Sequence, residues 1–388
     1  MRTPQVSSGM ENVVTGSSRN AHGAGQSGVA HVAMLGMFPP PTTGAAKNNL
    51  ILYETLLARG VETTQIRTSV SGLAHKRNLA YHVRRALRNG WVTLKLLVEG
   101  RRAGIFYMVP DAGLGSYYSL IHMIVATGLF SSVLIHHRSF RYIDSPSRAA
   151  RLMTTWARAR VTHVFLSPEM AARFQEQYGP VAFMIATNAH FVADQIAEPS
   201  IRSPGPIRIG HLSNLCRDKG FFLVAAVFEG LVERGLDVEL WLAGPVIEPD
   251  VDETIKQLSR THGDRVHYVG PLSGASKVAF YRNLDVFLFP TQHTQEAQPN
   301  VIYEALAAGI PVYATSRGCI SEMLSGSCDS AATSNENYLS LTMSAISKLD
   351  LSDEIVVARK RAIIEFLEVE CAESKKQYEA LLISLGAD

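Results

Sequence analysis

Two glutamates, Glu296 and Glu304, are separated by the seven residues AQPNVIY. Glu296 lies in a polar loop after the strand-like run DVFLFP. Glu304 falls one turn into a helix that should start near Pro299 or Asn300. A loop carboxylate in such a place can hold polyol hydroxyls. A helix start offers free backbone N–H groups that suit phosphate oxygens, and proline is at home there. Glu304 on the opening helix can accept two vicinal hydroxyls, such as those of a ribose. Upstream, Arg217 and Lys219 stand beside Gly220 in SNLCRDKG. Two cations there would neutralise a diphosphate and stabilise the charge that grows as it leaves. Each residue also has a plainer reading: a solvated loop acid, a first-turn acid favoured by the helix dipole, an ordinary basic loop.

His136 and His137 end the apolar run SSVLIHH. A residue at the carboxyl end of a strand faces a cleft, and adjacent residues point to opposite sides. Only one of the two should therefore face a ligand. No carboxylate or cysteine stands at a spacing that would make HHRSF a metal site. Asp250 and Asp252 form a DxD-like pair, but they follow Pro249 and should open a helix, where acids favour the dipole. No metal ligand set is expected.

The elements that would position these groups repeat in order. HVAMLGM at 31–37 reads as a strand, Asn48–Arg59 as an amphipathic helix closed by Gly60, and VETTQIRT as the next strand. Strand, helix, strand implies a parallel βαβ unit. The pattern recurs through GIFYMV, 116–129, SSVLIHH, 146–158, VTHVFLS, 168–178 and VAFMIAT. It restarts at IRIGHLS and continues through VELWLAG, VHYVG, DVFLFP and IPVYAT, and 352–385 reads as helical with a break. The fold class expected is α/β: two Rossmann-like domains with parallel sheets facing across a cleft, ligands lying beyond the strands' carboxyl ends. Residues 1–30 should be a flexible tail and 31–192 the first domain. Residues 193–206 should link it to a second domain at 207–360, and 361–388 should be a helical segment packing back on the first.

The 388 residues suffice for two cores, and 46% are hydrophobic against 19% charged. With 37 basic and 35 acidic side chains, the chain lacks the basic excess that nucleic-acid binding requires. The four cysteines form no CxxC pair, so a reducing, cytoplasmic setting is expected. The first thirty residues hold no apolar run like a signal peptide. The most apolar stretch, 120–135, is too short to span a bilayer.

The window from Asp285 to Glu322 resembles glycosyltransferase family 4, the retaining, nucleotide-sugar-dependent enzymes of GT-B fold. The likeness rests on Glu296, AQPNVIY, Glu304, ALAAG and Ile310-Pro311-Val312, followed by TSRGCISE. It rests also on GHLSNLCRDKG, WLAG, VHYVG and YRNLDVFLFPT in the same order. The resemblance implies a metal-independent transferase in polysaccharide or glycoconjugate biosynthesis, with no cofactor and a UDP- or GDP-linked sugar as donor. It implies Arg217, Lys219 and Glu296 as catalytic residues together with a histidine near the donor sugar, His136 being taken for that place and His137 its alternative. It implies donor binding by Gly210, Asn214, Pro299, Asn300, Val301 and Glu304, with backbone groups at Gly270, Pro271 and Leu272 meeting the base. It places Gly44, in the loop PPPTTGAAKNN, closest to the donor on the acceptor side, although Ala45 departs from the commoner paired glycine. A phosphorylase of the glycogen type would need a pyridoxal-phosphate lysine, and no window resembles one. A nucleotide-sugar epimerase or hydrolase of the same fold, or an inactive partner subunit, are the alternatives.

Residues 76–102 hold eight Lys or Arg against one acid, Glu99, with Trp91, Leu94, Leu96, Leu97 and Val98 interleaved. Such a segment could lie on an anionic bilayer or be a core helix with a wet basic side. The acceptor expected is a glycan or a polyprenyl-linked sugar, and the first case would explain the latter, with peripheral attachment at the cytoplasmic membrane face.

Overall fold

The computed structural model describes residues 31–40, 43–68, 79–102, 104–156, 158–196, 198–199 and 205–387. The expected tail at 1–30 and part of the expected linker lie outside these residues. The first half runs β1 (His31–Gly36), α1 (Gly44–Ala58), β2 (Glu62–Arg67), α2 (Leu79–Glu99), β3 (Ile105–Met108), α3 (Ser116–Leu129) and β4 (Ser132–His136). It continues α4 (Arg141–Asp144), α5 (Arg148–Thr155), β5 (Val161–Phe165), α6 (Pro168–Tyr178) and β6 (Phe183–Ile185). The second half runs β7 (Ile207–Leu212), α7 (Phe221–Glu233), β8 (Val238–Ala243), α8 (Pro249–His262), β9 (Val266–Tyr268) and α9 (Gly274–Arg282). It ends with β10 (Val286–Phe289), α10 (Asn300–Ala307), β11 (Val312–Thr315), α11 (Ile320–Leu324), β12 (Ala331–Thr333), α12 (Asn335–Ser347) and α13 (Asp353–Ser384).

Each half is one parallel six-stranded sheet, ordered β2-β1-β3-β4-β5-β6 and β12-β11-β10-β7-β8-β9. The strands are short apolar runs because helices cover both faces, so their side chains are buried on both sides. In the second sheet the connections from β7 and β10 leave in opposite directions. Their carboxyl ends therefore diverge and open a crevice, the switch point at which ligands bind in such sheets. The corresponding point of the first sheet lies between β1 and β3. This is the GT-B arrangement of two Rossmann-like domains.

Beyond elements that the sequence reading did not name, among them β12 and α12, two that it did name differ in ways that matter for the site. α1 starts at Gly44, a turn before Asn48, because Thr43 caps it: Thr43 Oγ1 accepts from Ala46 N at 3.2 Å. The cap falls in a Pro- and Thr-rich stretch with no apolar periodicity to announce a helix. The last helix has no break and runs unbroken for 32 residues. Its middle buries Ile363, Leu367 and Cys371 in the cluster that holds Tyr303 and Leu306 of α10. Its end buries Leu381 and Leu382, and Leu385 just beyond, with Val32, Met34, Leu52 and Leu56 of the first domain. Ser374 Oγ donates to Thr187 O at 2.9 Å, and Thr187 N donates to Gln377 Oε1 at 3.2 Å. One helix thus straps both cores.

Replacing Leu382 by Ala should cost about 2–5 kcal/mol, read as a lower melting midpoint of the first domain. Unchanged melting would show that the strap is not docked there. Burial pushes the imidazoles of His163 and His211 down to about 4. The unfolded chain binds those protons near pH 6.5, so stability is full above that value and lost as pH falls towards 4. The His163→Phe variant should show a shallower loss over that window in pH-dependent chemical denaturation.

Candidate functional site

The two loops at the switch point are locked together by close backbone approaches. Gly220 has φ 82°, and a Cβ there would lie 2.0 Å from Pro290 O, so only glycine lets the β7 loop lie against the end of β10. Gln292 N then donates to Asp218 O at 2.8 Å. The loop after β11 supports the same place. Gly318, with φ 56°, would set a Cβ 2.5 Å from Ala297 O and 2.6 Å from Glu296 O, and Cys319 N donates to Ala297 O at 2.8 Å. Thr315 Oγ1 donates to Thr291 O at 2.5 Å.

This scaffold carries two lysine–glutamate pairs. Lys219 Nζ lies 2.5 Å from Glu296 Oε2, which also accepts from Thr291 Oγ1 at 3.0 Å. Glu304, 7% exposed, sits with its Oε2 2.5 Å from Lys277 Nζ and accepts from Tyr281 OH at 3.1 Å. Lys277 and Tyr281 are one turn apart on α9. Neither was singled out in the sequence; their only signal was an i, i+4 spacing on a short helix, which many helices share.

The first domain meets this rim through the start of α1. Asn300, first residue of α10, donates from Nδ2 to Asn48 Oδ1 at 2.9 Å, and a Cβ on Gly44 would lie 3.9 Å from the same Nδ2. Neither first turn holds an acid. The starts of α1 and α10, each carrying positive dipole charge, therefore meet side by side. Amides hold the approach: Asn188 N donates to Gln298 Oε1 at 2.6 Å, Asn188 Nδ2 to Gln298 O at 3.0 Å, and Gln298 Nε2 to Leu166 O at 3.1 Å. Pro299 is buried at the N-cap of α10, and Val301 follows in the first turn.

The two histidines separate as alternation requires. His137 is core: its Nδ1 pairs with Tyr142 OH and its Nε2 with His163 Nδ1, each at 2.8 Å, and its ring stacks on Phe165. His136 points to the other face, where Nδ1 meets Tyr107 OH at 2.7 Å and Nε2 is buried without a partner. Burial, then the nearby Arg138 charge, hold its pKa well below the ordinary histidine value, so it is neutral. Arg138 has no carboxylate partner among the described residues, and its Nε and Nη1 are buried and unpaired. The sequence reading passed over this arginine because nothing in HHRSF sets it apart from a surface cation.

Other expected residues sit differently. Arg217 points outwards, its Nη2 2.7 Å from Asp250 Oδ2 and its guanidinium over Phe222. Asp250 is therefore an ion-pair partner as well as a helix-opening acid, and Asp252 pairs with Lys256. Gly210 lies inside β7, where a Cβ would come 2.1 Å from Leu284. Its lack of a side chain serves internal packing against Leu284. Gly244, with φ 113° and a Cβ position 1.8 Å from Ser213 O, lets the loop after β8 lie against the end of β7. Asn214 is exposed beyond β7. Gly270, Pro271 and Leu272 form the rim after β9, where Gly270 O accepts from Gly244 N at 2.9 Å. Among the described residues no cluster of His, Cys, Asp and Glu could hold a metal ion.

The Gly318→Ala variant should lose about 1–3 kcal/mol, and amide exchange should rise at 292–299 while the first sheet stays protected. Equal protection in variant and parent would mean that this glycine does not set the Glu296 loop.

Residues 206–349 match the family described as glycosyl transferases group 1. A stretch of 120 residues is 32% identical to the capsular polysaccharide biosynthesis glycosyltransferase CapM of Staphylococcus aureus, a match that spans 30% of this chain and 30% of CapM. Among solved structures, HepE of Anabaena in complex with UDP and glucose superposes with a TM-score of 0.60 at 14% identity, over 89% of this chain and 99% of that one. Sucrose-phosphate synthase of Thermosynechococcus elongatus gives 0.63 at 15% identity, over 92% and 100%. The UDP-forming trehalose-phosphate synthase of Burkholderia xenovorans gives 0.63 at 11%, over 92% and 100%. The chain thus has the GT-B fold, and its second domain is similar to the glycosyl transferases group 1.

Proposed function

We propose that the protein is a retaining, metal-independent glycosyltransferase. It moves a hexosyl group from a nucleotide-diphosphate sugar to a hydroxyl of a glycan or lipid-linked sugar, in polysaccharide or glycoconjugate biosynthesis. The observation that carries the reading is the meeting of two acid-free helix starts, α1 and α10, beside Lys219 at the switch point of the second sheet. A diphosphate satisfies both dipoles at once. Glu304, held by Lys277 and Tyr281, takes the ribose hydroxyls, and the rim at Gly270, Pro271 and Leu272 takes the base. Gly44 lets the first domain close on the phosphates. Glu296 and the neutral His136 flank the sugar.

In the reaction the acceptor oxygen attacks the anomeric carbon as the bond from that carbon to the β-phosphate oxygen breaks. The acceptor proton passes to an oxygen of the departing diphosphate. Negative charge grows on that group, and Lys219 with the two helix starts stabilises it. Arg217 adds its charge once it leaves Asp250. Asp250 and Asp252 are engaged by Arg217 and Lys256, which favours cation side chains in the place of a divalent ion. UDP and GDP are the expected leaving groups.

Calorimetry with UDP, GDP, ADP and CMP in the absence of metal tests the site. One nucleoside diphosphate should bind, and Glu304→Gln should weaken it at least about tenfold, a loss near 1.4 kcal/mol. No binding to the folded protein, with or without magnesium, would overturn the assignment.

A further inference from the structure

α2 carries a row of large apolar side chains that nothing among the described residues covers. Val83, Leu87, Trp91, Leu94 and Val98 are all exposed, Leu87 by 70% and Leu94 by 63%. At 100° per residue they fall within an arc of about 80°. Arg84, Arg88 and Lys95 line one edge of that arc, between it and the buried residues Val92 and Leu96. Arg88 and Lys95 hold their charges over the ring of Trp91, at 4.9 and 5.5 Å from its centroid. Arg84, Arg88, Lys95 and Arg101 have no carboxylate partner among the described residues, whereas Arg85 pairs with Asp111 and Arg102 with Glu62. The neighbouring α3 and the turn before it add Leu114, 79% exposed, with Tyr117 and Ile121.

Lys95 Nζ and Arg88 Nε donate to the backbone of β2, at Gln65 O and Arg67 O, so these charges are anchored but not neutralised. An exposed apolar row with cations free of carboxylates along its edge complements one kind of surface, an apolar interior under an anionic layer. We propose that α2, with Leu114, Tyr117 and Ile121, docks on an anionic lipid bilayer, the apolar row entering the interface and those cations meeting the headgroups. No helix among the described residues is long and apolar enough to cross a membrane, so this contact is interfacial. Its position bears on the substrate. Arg88 Nε donates to Arg67 O at the end of β2, and Arg85 bridges to Asp111 beyond β3. The first half of the row and Leu114 therefore lie at the carboxyl edge of the first sheet, the edge at which His136 ends β4. On the reading given under Proposed function, the bilayer would then present a lipid-linked acceptor to the cleft. Docking itself does not depend on that reading.

Co-sedimentation of the full chain with phosphatidylcholine vesicles, and with vesicles that also hold phosphatidylglycerol, tests the docking. The parent should partition onto the anionic vesicles. The triple variant Leu87→Ser, Trp91→Ser, Leu94→Ser should fall to background. Arg84→Glu with Arg101→Glu should bind at least about thirtyfold more weakly, since each cation near such a surface contributes roughly 1 kcal/mol. Circular dichroism and nucleotide calorimetry on the same variants should match the parent, which separates a failure of docking from a failure of the donor site. Equal recovery of the parent with both vesicle types, or undiminished binding by the triple variant, would overturn the proposal. So would a parent dimer, without vesicle binding, that the triple variant returns to monomer, for the row would then be a protein interface.

Discussion

The structure depends on one constraint: three loops from the switch point of the second sheet must lie within backbone contact of each other. Gly220 against Pro290 O and Gly318 against the carbonyls of Glu296 and Ala297 make that possible. A side chain at either position would drive the loops apart. With the loops fixed, Lys219 and Glu296 come from different strands to within 2.5 Å. The polar groups of the site are then held by backbone geometry, so little ordering remains to be done when a ligand enters.

The charges follow a second logic. Glu296 and Glu304 each sit in largely buried positions, and each is matched by a lysine. An uncompensated buried carboxylate would cost several kcal/mol, so the lysines are a structural necessity as well as a chemical resource. The meeting helix starts of α1 and α10 have no acidic partner in their first turns. The fold thus gathers positive potential at this meeting without an acid in either first turn to offset it. α13, packed into both cores, keeps the two sheets in register for that meeting.

Much of this was legible in the sequence because α/β folds write themselves in short apolar runs and glycine stops. Helices α3 and α6 carry the residues expected of them, and the window from Asp285 to Glu322 places Glu296, Pro299, Asn300 and Glu304 on the loop and helix assigned to them. What was hidden depends on distance across the fold. Lys277 and Tyr281 matter only because α9 lies beside α10. The packing of Gly210 against Leu284, 74 positions later, was likewise invisible along the chain. Arg217 looked like a partner of Lys219, and a 3₁₀ turn sends the two to opposite sides. The cap at Thr43 was masked by prolines. Spacing along a chain shows which residues share an element; it does not show which elements face each other.

A crystal structure with the tightest-binding nucleoside diphosphate tests the central claim most directly. The account predicts the diphosphate between the starts of α1 and α10, with Lys219 Nζ moved from Glu296 onto a phosphate oxygen and Glu304 on the ribose. A nucleotide bound elsewhere, with the Lys219–Glu296 pair intact, would contradict it.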